Sequence, residues 1–174
     1  RMQSTAENFD KSFTDARDAL ARSTGGNKVA EPILKLREKA FAKFVELGIP
    51  STKVEDWRYT NVQALNKASF AIVEHRVAGE SSVAGESSVA GERIAARLVP
   101  GLDSYVCAIV DGSFVPALST LPQLPGVAVR PIAELCSSEQ TGDLSAHLSG
   151  GEQLGAHPFA ALNAATFTSG MHIS

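Results

Sequence analysis

Four histidines, two cysteines and one adjacent carboxylate pair are the residues of this chain best equipped for chemistry. Their spacing assembles no active site. His75, His147, His157 and His172 stand apart, and none has the close His or Cys neighbour of a metal-ligand pair. Each reads as a surface or helix-end histidine, His172 alone falling in an apolar strand pattern. Cys107 and Cys136 are far apart and form no Cys-x-x-Cys motif. Two cysteines are too few for a disulfide framework, so they read as reduced thiols of a cytosolic protein. Glu55-Asp56 would work as an acid/base pair only if both carboxylates met one substrate. Neighbours on a strand point to opposite faces, so capping or ion-pair roles fit better. Trp57 and Tyr59, two apart in an extended segment, are expected to face one core together rather than stack a ligand. No Gly-x-Ser-x-Gly elbow, Walker loop or dinucleotide fingerprint occurs. Gly79, Gly85 and Gly91 are spaced by a repeat and do not cradle phosphate. No catalytic, cofactor-binding or metal-ligating residue is therefore expected.

The elements that surround these residues are helical first and β later. Phe9, Phe13, Ala16 and Leu20 recur at helical spacing over residues 8–21, and Gly25-Gly26 ends that helix. A stronger helix opens at Glu31-Pro32, with proline suited to the first turn. Its apolar stripe is Ile33, Leu36, Ala40, Phe44 and Leu47, widened by Leu34 and Phe41. Gly48 is placed for a left-handed cap, and Pro50 stops the helix. Thr60 or Asn61 caps a short turn through Val62 and Leu65, and residues 70–73 read as a strand. From Val77 a hexapeptide, Val-Ala-Gly-Glu-Ser-Ser, repeats in tandem to Glu92. Its length suits a flexible Gly/Ser linker; as a β-helix repeat it would barely fill one coil. A short helix over 93–98 follows, closed by Pro100-Gly101.

Residues 105–110 then form an apolar strand. Asp111-Gly112 separates it from Ser113-Phe114-Val115, a strong hairpin signal because glycine accepts the positive φ of the tight turn. Residues 127–129 read as a strand, 131–135 as a helix start, the region of Leu144 and Leu148 as a short helix and 158–165 as a compact apolar helix. Met171-His172-Ile173 begins a strand with no partner in sight, which suggests a fragment of a longer protein.

The formal net charge of −3 and pI of about 5.8 give no basic surplus for a phosphate backbone, so nucleic-acid binding is not expected. No apolar run approaches the roughly 20 residues needed to cross a bilayer, and the polar N-terminus carries no secretory signal. With 44% hydrophobic and 20% charged residues the chain has the composition of a globular domain.

Three segments carry a family resemblance. Glu55-Asp56-Trp57-Arg58-Tyr59-Thr60, preceded by Leu47-Gly48-Ile49-Pro50-Ser51-Thr52-Lys53, resembles the signature of SufD-type N-terminal domains in the SufB/SufD family. Val110-Asp111-Gly112-Ser113-Phe114-Val115-Pro116-Ala117-Leu118-Ser119 is similar to that family's hairpin. Pro158-Phe159-Ala160-Ala161-Leu162-Asn163-Ala164-Ala165 followed by Gly170 resembles the element leading into the family's core. The three occur in family order and favour SufD over the paralogous SufB. The resemblance implies a non-catalytic scaffold subunit of iron–sulfur cluster assembly, pairing with SufB and the ATPase SufC in the SufBCD complex. The nascent cluster would be cargo of that complex, with no cofactor held in this stretch. It also implies an α+β N-terminal domain, a right-handed parallel β-helix core and a C-terminal helical domain. Cluster-related residues and the SufC surface would lie beyond Ser174. On this reading residues 1–76 form the N-terminal helical region, 77–92 the repeat linker, 93–157 a small α+β region with the hairpin, and 158–174 the truncated start of the β-helix. Trp57, Tyr59 and Phe114 are expected to be core or interface anchors. A freestanding α+β small-molecule-binding or enzymatic domain is the alternative from another class, and it would require a pocket of converging polar groups.

Overall fold

The computed structural model describes residues 5–68, 70–71, 91–110, 113–122, 124–137, 141–149 and 156–174. Most of the hexapeptide repeat, His75 and the Asp111-Gly112 turn lie outside the described residues, as does the end of the strand expected over 70–73. Phe70 and Ala71 are not in a strand. The architecture is mixed helix with small antiparallel sheets, in the α+β class expected. Residues group into two compact units, Arg1–Val73 with Ala133–Thr168, and Glu74–Ile132 with Ser169–Ser174.

The first unit is helical. Helix α1 spans Thr5–Ser23 and α2 spans Glu31–Leu47. Gly25 and Gly26, at φ 66° and 89°, turn the chain between them. Pro32 occupies the first turn of α2, where its missing N–H costs no hydrogen bond. Helix α3 (Ile132–Leu135) begins at the boundary with the second unit; α4 (Thr141–Leu148) and α5 (Pro158–Thr166) complete the first. The core follows the apolar stripes read from the sequence. Phe9, Phe44, Ile49 and Ala161 form one buried cluster, flanked by Phe41, Val62, Leu65, Phe159 and Leu162. Ala40, Ala164 and Ala165 form a second against Phe13 and Phe41. Small alanines on α2 and α5 let the two helices approach closely. The phenylalanines of α1 fill the remaining space: Phe9 meets Phe44 edge-on at 4.9 Å and Phe13 stacks on Phe41 at 4.4 Å.

The second unit holds the strands. Strands β1 (Ile109–Val110) and β2 (Ser113–Phe114) pair antiparallel, Ile109 opposite Phe114 and Val110 opposite Ser113, the strand pairing expected on either side of Asp111-Gly112. A bridge between Val106 and Thr120 extends this pairing. Residues 91–95 are helical, close to the short helix expected there. Strand β3 (Val129–Pro131) pairs antiparallel with β4 (Met171–Ile173), Val129 opposite Ile173. The terminal strand is therefore partnered, contrary to the sequence reading. Backbone bonds of 2.8 and 3.0 Å between Ala128 and Ser174 close its end. Its partner lies far upstream, and local periodicity carries no trace of such a pairing. The segment 158–174 is thus divided, with α5 in the first unit and β4 in the second.

Candidate functional site

The Glu55–Thr60 segment owes its position to the end of α2. Gly48 takes φ 66° and ψ −177°, a backbone region essentially reserved for glycine, and its N–H donates to Phe44 O at 2.8 Å. This is a glycine-only exit, though not the left-handed cap expected. The chain then winds through consecutive tight turns instead of extending. Val54, Trp57, Arg58 and Thr60 each donate a backbone N–H to the carbonyl three residues earlier, and Glu55–Trp57 is a 3-10 helix. Asn61 Oδ1 accepts from the Gln63 N–H at 3.0 Å, starting the next turn, Gln63–Lys67. Gln63 Nε2 ties this turn to the Ile49 and Pro50 carbonyls at 3.2 and 2.8 Å.

That winding corrects two expectations. Glu55 and Asp56 sit on a helical turn rather than on opposite faces of a strand. Trp57 and Tyr59 do not share a core. At three residues per turn, positions two apart point about 240° from each other. Trp57 is half-buried against Phe159, with ring centroids 5.2 Å apart. Tyr59 is 91% exposed. The Arg58 guanidinium lies 5.6 Å from the Tyr59 ring centroid and 3.7 Å from Glu55 Oε1. Val54 is also exposed. The result is a tyrosine and an arginine displayed together beside an anchored tryptophan, residue types that dominate contact energy at protein interfaces.

In the second unit, Ser119 fastens the hairpin. Its hydroxyl accepts from the Ala108 N–H at 3.0 Å and donates to Val115 O at 2.8 Å. The Val115 N–H also donates to Ala108 O at 3.0 Å. Phe114 is half-buried. Ala108 is the one buried apolar residue of this unit among the described residues, whereas Leu98, Val99, Leu102, Tyr105, Ile109 and Ile173 are all exposed. These side chains present apolar surface to solvent.

One ionisable cluster lies in the core of the first unit. Arg37, on the buried face of α2, is 1% exposed. Its Nη1 donates to Phe167 O at 2.5 Å, at the C-terminal cap of α5, and its guanidinium lies 5.0 Å from the Phe167 ring centroid. The partial negative charge of the α5 C-terminus favours a cation there. Burial lowers the Arg37 pKa to about 10, against the raising effect of Cys136 and with added repulsion from Arg17. Cys136 is fully buried, and burial pushes its thiol up to about 11 while Arg37 pulls it down. Sequence reading placed Cys136 without a role and passed over Arg37. The available signal was register: Arg37 falls four residues after Ile33 and three before Ala40, on the apolar face.

The other singled-out residues remain apart. Cys107 is exposed, and both cysteines are free thiols. His147 lies in the last turn of α4, His157 is exposed just before α5, and His172 is opposite Arg130 in the β3–β4 register. Among the described residues no three His, Cys, Asp or Glu side chains group to hold a metal, and no helix is long and apolar enough to cross a membrane.

A family model described as the SufBD protein N-terminal region matches residues 3–173. No curated protein and no solved structure matches. The match takes in the Glu55–Thr60 segment, the hairpin and α5 together. This chain therefore belongs to the SufBD family, the scaffold-type subunits of iron–sulfur cluster assembly, and carries that family's N-terminal region.

Proposed function

We propose that the chain is the N-terminal region of a SufD-type scaffold, acting by contact and not by turnover, in the cytoplasm. The carrying observation is the family match over residues 3–173. The choice of SufD over SufB rests on the Glu55-Asp56-Trp57-Arg58-Tyr59-Thr60 and Val110–Ser119 segments. On this reading the full-length protein pairs with SufB and binds SufC, the nascent cluster is cargo of that assembly, and a right-handed parallel β-helix follows this region. The exposed Tyr59–Arg58 pair and the uncovered apolar side chains of the second unit support a role in contact.

Co-purification of the full-length protein with SufC and with either paralogue tests this. A complex with SufB and SufC is expected. A complex formed with SufD instead would make the chain a SufB. Failure to retain SufC and both paralogues would contradict the scaffold reading and favour a freestanding binding or enzymatic domain.

A further inference from the structure

We draw no further inference here: the strongest candidate, the surface patch that the exposed Tyr59 and Arg58 form at the end of the Glu55–Trp57 turn, carries nothing because nothing in the structure shows what covers it.

Discussion

The two units of this chain are similar in their proportion of apolar residues and use them in opposite ways. In the first, α1, α2 and α5 place their apolar residues inward: Ala16, Ile33, Ala40, Phe44, Ala161 and Ala165 are entirely covered. In the second, among the described residues only Ala108 is buried apolar; Val106, Phe114 and Leu118 are half-buried, and Leu98, Val99, Leu102, Tyr105 and Ile109 are exposed. The difference is one of geometry. Three helices converge on each other and exclude water from a shared volume. Two-stranded ribbons have no third layer to close against, and such ribbons are marginal on their own. The first unit thus buries its apolar side chains among its own helices, and the described apolar side chains of the second stay largely in contact with solvent.

The two free thiols report the contrast most sharply. Cys107 belongs to the second unit and is exposed; Cys136 belongs to the first and is fully buried with its pKa raised. A thiol reagent at neutral pH should modify Cys107 at least about a hundredfold faster than Cys136, which becomes accessible only on opening. Comparable rates at both would erase the distinction between the units.

Core truncation comes next. Phe44 is fully buried and touches both α1 and α5 through its cluster. Phe44→Ala should lower unfolding stability by about 3–5 kcal/mol in urea titrations. A loss below about 1 kcal/mol would mean that the helices do not depend on this packing.

Alkaline pH offers a smaller effect of definite sign. An unfolded Cys136 thiol ionises near its ordinary value of 9.0 and the buried one near about 11. In that interval the unfolded chain binds fewer protons, so stability is full below pH 9 and falls as pH rises, by at most about 1.4 kcal/mol per unit. Above about pH 10 Arg37 acts in the opposite direction, because its folded pKa is lowered. Denaturant titrations at pH 9 and 10 should show the loss in the native sequence and not in Cys136→Ala, each compared with its own value at pH 8.

The smallest change is expected in the second unit. Leu102 is 62% exposed, and Leu102→Ser should alter stability by less than about 0.5 kcal/mol. A larger loss in the isolated chain would show that this side chain is already packed.

Much of the first unit was legible because helices write their pattern locally. The stripe from Ile33 to Phe44, Pro32 at the start and Gly48 after the end specify α2 without knowledge of its partners. The pairing of β1 with β2 was legible for the same reason. The misreadings arose where local pattern is silent. A 3-10 turn of three residues, Glu55–Trp57, has no periodicity to detect, so its carboxylates and the Trp57–Tyr59 pair were given strand geometry. The β3–β4 pairing depends on residues distant in sequence. Arg37 was hidden by its charge, since burial of an arginine depends on the Phe167 carbonyl and ring that receive it. The exposed Tyr59–Arg58 pair emerged only once the turn geometry was known.

Amide hydrogen exchange of the chain tests the central contrast most directly. The account predicts that amides within Glu31–Leu47 and Pro158–Thr166 exchange at least about a hundredfold more slowly, relative to intrinsic rates, than those of residues 105–110 and 113–120. Equal protection of the two regions would contradict it, because the second unit would then possess a core of its own.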